Sequence, residues 1–208
     1  MKKLLLILFC SLICAVTFAQ SETTGDISWN ISDSTLTISG TGAIPDYHAY
    51  SLPPWAYNKS FNNVIIGEGI SSIGVFAFHF NNIFTSVTIP NSVTTIRNWA
   101  FSCSRLIFIS IPSSVTSIGE YAFENCQDLT SVIIPNSVTS IGEGAFAGCR
   151  SLSEITSHTT IPQKISIDVF ENVDKTTCTL SVPASSINDY RKAKVWKNFK
   201  KIEAITTN

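Results

Sequence analysis

The sequence predicts a mainly β repeat solenoid of about six rungs, closed by an N-terminal β-hairpin cap and a short C-terminal helical cap. Three observations predict it. First, one phrase is written three times: SVTIPNSVTTIRNWAFSCSRL from Ser86, ISIPSSVTSIGEYAFENCQDL from Ile109 and SVIIPNSVTSIGEGAFAGCRSL from Ser131. Second, its central Ile recurs at Ile73, Ile96, Ile118 and Ile141, at spacings of 23, 22 and 23 residues. A fixed period of this size marks stacked units that bury their apolar faces against one another. Third, the chain is 44% hydrophobic but only 14% charged, against roughly a quarter charged in an average globular protein. Ser, Thr, Asn and Ile fill the difference, as suits uncharged strand faces.

The opening segment, Met1 to Ala19, reads as a secretory signal. Lys2 and Lys3 give the positive start, Leu4 to Phe9 and Leu12 to Val16 the apolar core, and Thr17-Phe18-Ala19 the small residues of a cleavage site. A membrane span would need ~20 apolar residues. Cys10 and Cys14 fall in this segment without the context of a lipoprotein box. Cleavage removes two lysines and leaves 12 basic against 15 acidic residues, a net charge of −3. That balance attracts neither nucleic acid nor anionic lipid, and no membrane span is expected after cleavage.

The cap, 20–60, carries a β-hairpin pattern, Ile27 to Ile31 and Leu36 to Ile38 around Ser32-Asp33-Ser34-Thr35. Pro53-Pro54-Trp55 then leads towards Phe61. Regular repeats fill 61–152. Their strand triplets are Val64-Ile65-Ile66, Val87-Thr88-Ile89, Ile109-Ser110-Ile111 and Val132-Ile133-Ile134. In each, the outer two residues point to one face. Pro90, Pro112 and Pro135 stop the last three by removing an N–H donor. Gly74, Arg97, Gly119 and Gly142 mark a corner where glycine suits an unusual backbone. The Phe of each Ala-Phe pair (Phe78, Phe101, Phe123, Phe146) builds a stacked aromatic spine. Repeats are degenerate over 153–183: Ile155 opens a fifth strand, Thr156 to Ile167 is a longer loop, Val169-Phe170 replaces Ala-Phe, and Leu180-Ser181-Val182-Pro183 is a sixth strand. In the closing cap, 184–208, Ser185 can N-cap a helix from about Ser186 to Lys194, and Trp196, Phe199 and Ile202 cover the last rung.

No residues converge on an evident catalytic centre. Cys103, Cys126 and Cys149 form a column, with Asn81 before it and Val173 after it. Rungs ~4.8 Å apart keep in-register Cβ atoms beyond the ~3.8 Å of a disulfide. The column, like Cys178, therefore reads as free thiols, not as a bridge or a metal site. His48, His79 and His158 are scattered, with no HExxH or Cys-His pairing. Glu120 and Glu143 share a corner position and read as solvated carboxylates. The cationic tail, Arg191, Lys192, Lys194, Lys197, Lys200 and Lys201, reads as the polar side of the cap, with a polyanion site as the alternative. The outward strand residues are more informative: Asn63, Ser86, Phe108 and Ser131, then Ile65, Thr88, Ser110 and Ile133. Phe108 and Ile133 lie diagonally on neighbouring rungs of an otherwise polar face, a candidate partner-binding site.

The phrase IPNSVTSIGEGAFAGC-SL at Ile134 to Leu152 resembles the consensus of BspA-like leucine-rich repeats, found in surface and secreted proteins of Bacteroides-type bacteria. LTISGTGAIPDY (Leu36 to Tyr47) with PPW is similar to that family's opening, and VPASSINDYRKAKVWKNFKKI (Val182 to Ile202) to its closing cap. Departures are Arg97 for Gly, Asn81 for Cys, and one residue missing between Phe101 and Cys103. The resemblance implies a right-handed leucine-rich-repeat horseshoe. It implies a secreted, periplasmic or cell-surface protein that binds a protein, matrix component or other cell, without catalysis or a cofactor. A polysaccharide-binding or glycan-processing accessory is the alternative function, and a self-associating envelope component a third.

Overall fold

The computed structural model describes residues 20–24, 26–48 and 50–206. The export segment read from Met1 to Ala19, with Cys10 and Cys14, lies outside the described residues. In the cap, β1 (Gln20–Thr24), β2 (Ile27–Ser32) and β3 (Thr35–Gly40) pair antiparallel in sequence order. Asp33 and Ser34 turn the β2–β3 hairpin at positive φ, 47° and 59°. Two consecutive left-handed residues suit the twist of the strands they join.

From β3 onward the chain winds as a parallel β-solenoid. Its front strands are β5 (Asn63–Ile66), β7 (Ser86–Thr88), β9 (Phe108–Ser110), β11 (Ser131–Ile134), β13 (Glu154–Ser157), β14 (Thr179–Val182) and β15 (Lys201–Ala204). Its back strands are β4 (Gly42–Ala43), β6 (Ile70–Ile73), β8 (Thr95–Ile96), β10 (Ser117–Ile118) and β12 (Ser140–Ile141). Leu36 pairs with Val64, and Val64 with Val87, so the hairpin hands its register to the repeats. The back sheet is continuous, whereas the front layer is two panels, β1-β2-β3-β5-β7 and β9-β11-β13-β14-β15.

The triplets Val64-Ile65-Ile66 and Val132-Ile133-Ile134 lie within strands, whereas Ile89 and Ile111 fall just past the ends of β7 and β9; the outer residues of all four are buried, except that Val87 is only partly so. The prolines also build the turn that follows. Val93, Val115 and Val138 donate their N–H groups to the carbonyls of Pro90, Pro112 and Pro135 at 3.2, 3.0 and 3.2 Å. The chain thus reverses onto the back strand without orphaning polar backbone.

The third side of each rung has no strand, yet it is fully laddered. Phe78, Phe101 and Phe123 donate to Ala100, Ala122 and Ala145 of the next rung at 2.7, 2.8 and 2.8 Å. Left-handed residues flank each phenylalanine: Phe76 and Phe80, Trp99 and Cys103, Tyr121 and Asn125, Gly144 and Gly148. The unusual backbone therefore falls two residues after the glycine corner, not on it. Gly119 and Gly142 serve close approach instead. A Cβ on either would lie 2.5 Å from backbone nitrogen of the preceding rung.

The aromatic spine forms. Phe78, Phe101, Phe123, Phe146 and Phe170 stack with centroids 5.1, 5.4, 5.2 and 5.6 Å apart and planes within 11°. Trp55 closes one end against Phe78 and donates its Nε1–H to the Ala77 carbonyl at 2.9 Å. Trp196 and Phe199 close the other end, edge-on to Phe170 at 5.4 and 5.3 Å.

The closing cap differs from expectation. A 3₁₀ turn, Ala184–Ser186, leads into a single α-helical turn, α1 (Ile187–Tyr190), and no side chain caps either. The helix stops early because Tyr190 is held inward: its hydroxyl meets Ser157 Oγ at 2.8 Å and also the Thr159 hydroxyl. The segment from Lys201 adds a strand, β15, in register on β14 with Leu180 opposite Ile202. The irregular segment begins after β13, and Thr159 within it is buried.

Candidate functional site

The front face carries the candidate residues where period-2 alternation puts them. Asn63 pairs with Ser86 and Ile65 with Thr88; Phe108 pairs with Ser131 and Ser110 with Ile133. Two clusters result, one on each panel. On the first, the Ser86 hydroxyl donates to Asn63 Oδ1 at 2.6 Å. On the second, Phe108 is 45% exposed, while Ile133 is half-buried beside it. Ile65 is exposed on the first panel. Alternation would bury Ile107 with Ile109, yet it is 48% exposed. It sits in the turn before β9, with its N–H on the Thr85 carbonyl at 3.1 Å and its own carbonyl accepting from Thr130 at 2.8 Å. Ile107 and Phe108 thus present two adjacent apolar side chains.

A second aromatic file runs along the glycine corner. Phe76 stacks on Trp99 and Trp99 on Tyr121, with centroids 5.3 Å apart in both pairs and planes within 12°. All three are half-buried and left-handed. Left-handed backbone costs roughly 1–2 kcal/mol per residue. Aromatic stacking contributes about 0.5–1.5 kcal/mol per pair, and the inter-rung N–H bonds make up the remainder. The signal was present in sequence as the residue before each Ala-Phe pair.

The carboxylates at this corner are spoken for. Glu143 accepts from the Tyr121 hydroxyl at 2.8 Å and Glu120 from Asn98 Nδ2 at 3.4 Å. That bond to Glu143, then burial, pushes the Tyr121 hydroxyl up to about 12. Arg97, standing where other rungs have glycine, reaches back to the cap and pairs with Asp46 at 2.6 Å. His79 lies half-buried against the Ser102 hydroxyl, and burial lowers its pKa. His48 and His158 are exposed. The basic residues of the tail are all exposed, and Lys192 and Lys194 line a cleft together with Lys164 and Asp189.

The cysteine column needs correction. Ser104, not Cys103, occupies it: the Ser104 hydroxyl lies 3.2 Å from Cys126 Sγ, and both residues are buried. The residue missing from this rung falls after Ser104, not before Cys103, since Phe101 to Leu106 is five residues where Phe123 to Leu129 is six; the cysteine comes one position early, on a left-handed, partly exposed residue. Cys126 donates to the Phe101 carbonyl at 3.2 Å and Cys149 to the Phe123 carbonyl at 3.1 Å. The Cys126 thiol and burial together hold Cys149 well above the usual thiol range. Cys103, Cys126, Cys149 and Cys178 are free thiols. Among the described residues, no three His, Cys, Asp or Glu side chains come together to hold a metal ion.

This geometry defines a β-solenoid repeat protein. Residues 55–177 match the model of the BspA type leucine-rich repeat region in six copies. The chain belongs to that family. It is similar to a leucine-rich repeat protein of Eubacterium ventriosum, with 26% identity and a TM-score of 0.54 over 88% of this chain. It spans 58% of that protein's length. A leucine-rich repeat protein of T. pallidum shares the fold at 21% identity and a TM-score of 0.51, covering 66% of this chain and 71% of that one. A search of curated proteins found no match.

Proposed function

We propose that the chain is an exported, non-enzymatic adhesion module that holds a protein on its front face. The observation that carries this reading is the adjacent exposure of Ile107 and Phe108, 48% and 45%, beside Ile133, with the polar Ser110 and Ser131 as their strand neighbours. Rigid apolar anchors within a polar surround are the usual pattern of an interface centre. Membership of a repeat family with extended binding surfaces supports it. Asn63, Ile65, Ser86, Thr88, Ser110 and Ser131 complete the contact surface in this reading. Met1 to Ala19 is a removable export signal, so the released chain begins at Gln20. The flanks, 20–60 and 184–208, act as caps around regular repeats at 61–152 and degenerate ones at 153–183.

The test is binding of the full mature chain to immobilised extracellular-matrix proteins and to intact neighbouring cells. Phe108→Ser combined with Ile133→Ser should abolish retention while leaving circular dichroism and melting unchanged. Unaltered retention by a folded double variant would overturn the assignment of this face.

A further inference from the structure

A cleft of about 630 Å³ opens between the irregular loop and the closing cap. Pro162 to Ile165 line it from the loop, and Asp189 with Lys192 to Val195 from the cap. The loop wall stands in for a back strand. Gln163 and Ile165 lie 24 residues after Thr139 and Ile141, the same spacing as Phe146 and Phe170 of the spine. Ile165, partly buried, packs against the core. After Val182 the chain enters the cap instead of making another back strand. The cleft therefore occupies the slot that the next back strand would fill.

In earlier rungs each back strand offers two carbonyls to the next. Thr94 and Ile96 accept from the N–H groups of Thr116 and Gly119 at 2.9 and 2.8 Å, and Thr116 and Ile118 from those of Thr139 and Gly142, both at 2.9 Å. At the loop wall the first of these carbonyls, that of Gln163, accepts from the Trp196 indole N–H at 2.9 Å. The second, that of Ile165, has no hydrogen-bond partner among the described residues. The wall is held in place from behind, where Gln163 Nε2 donates to the Val138 carbonyl at 3.0 Å. The slot is thus fixed and keeps one backbone acceptor open, and backbone acceptors in folded proteins find partners.

Lys164, Lys192 and Lys194 line the cleft and are all exposed, and none of them is in an ion pair among the described residues. Asp189 is the one acidic residue of the lining. Positive charge is gathered at this end of the chain: Lys164 to Lys201 holds eight basic against four acidic residues, in a chain whose net charge after Ala19 is −3. We propose that this cleft binds an extended acidic segment of a partner protein. A strand sets alternate side chains on one side, ~7 Å apart, so Asp or Glu at every second position brings carboxylates to neighbouring lysines. A backbone N–H of the same segment supplies the Ile165 carbonyl. This is strand addition, with charge selecting the partner. A glycan could answer the lysines alone, whereas an open strand slot with a free carbonyl favours a peptide. The cleft shares no residue with the front-face interface, so each assignment stands or falls alone.

The test is fluorescence anisotropy of an end-labelled peptide, Glu-Thr-Glu-Thr-Glu-amide, titrated with the full mature chain at low salt. It should bind saturably and more weakly as salt rises, and its Gln-for-Glu counterpart should not bind. Glu-Glu-Glu-Thr-Thr-amide, with the same charge but no alternation, should bind several-fold more weakly. Lys164→Gln, Lys192→Gln and Lys194→Gln should each weaken binding about two- to fivefold, the share of an exposed ion pair. The triple variant should lose about tenfold or more with melting unchanged. Lys197→Gln with Lys200→Gln, outside the cleft, should leave affinity as it was. Equal affinity for the two Glu peptides, or an equal loss from the Lys197 and Lys200 pair, would overturn the proposal in favour of undirected charge attraction. Absence of saturable peptide binding would overturn it outright. Heparin binding, binding to phosphatidylglycerol vesicles, or self-association in sedimentation, if lost in the triple variant, would then identify a glycan, a membrane or a second copy as the occupant.

Discussion

The Tyr121 ring occupies the space that any side chain at position 144 would need: a Cβ on Gly144 would lie 2.3 Å from Tyr121 Cε1. The outer aromatic file ends there, and the Tyr121 hydroxyl turns to Glu143. Gly144 is also left-handed, φ 58°, so both space and backbone favour glycine. Gly144→Ala should destabilise the protein by about 1–3 kcal/mol in urea unfolding. In a Tyr121→Ala background the same change should cost less, because only the backbone penalty remains. Equal costs in both backgrounds would show that the ring is not the obstacle.

The two aromatic files should respond very differently to truncation. Phe123 is fully buried between Phe101 and Phe146, so Phe123→Ala should cost roughly 3–5 kcal/mol. Phe76 is half-buried at the end of the outer file, so Phe76→Ala should cost well under half of that. Similar midpoint shifts for the two would contradict the distinction between spine and corner.

Arg97 and Asp46 pair at 2.6 Å, but both side chains are nearly half exposed, 49% and 45%. An exposed pair of this kind contributes about 0–1 kcal/mol. Arg97→Ala should therefore shift stability by less than about 1 kcal/mol, and less still at high salt. A larger loss would mean that Arg97 anchors the cap by more than charge.

Thiol reactivity should follow position. Cys103 is partly exposed, whereas Cys126, Cys149 and Cys178 are buried. Burial, then the Glu124 charge, raises the Cys103 pKa, so its thiolate fraction at pH 8 falls below that of an ordinary thiol. Native mature protein should react with a thiol reagent slowly and at Cys103 alone, faster as pH rises past 9. Burial pushes Cys178 up to about 12, which keeps it silent across that range. Denatured, unreduced protein should release all four thiols. Fewer would indicate a bridge.

Much of the fold was legible because the repeat writes each structural column several times. Val and Ile triplets, proline stops and the Phe spine each follow from one local rule: alternation, a missing N–H, or a bulky ring at a fixed period. What was hidden depended on one rung's relation to the next. The glycine column looked conformational and is steric, since only the preceding rung's backbone explains why a Cβ cannot fit at Gly119. Cys103 looked like a member of the thiol column because sequence alignment prefers identity, whereas the backbone counts three residues from Phe101 to Ser104. The front-face residues were readable from alternation. Ile107 was not, because its exposure comes from where β9 starts. Asn81 was visible as a substitution, but that its buried amide lacks a partner emerges only once the cap is folded against the first rung.

The division of the front layer between β7 and β9 gives the solenoid an expansion joint. On the back and third sides, backbone bonds cross from the second rung to the third without interruption, pairing Thr95 with Ser117 and Phe101 with Ala122. In front, Ile107 to Thr85 is the stitch at the same level. The front seam at this level is thus held by fewer backbone bonds than the back and third sides. Phe108 stands on the lip of that seam, on the panel edge that faces the one carrying Ile65.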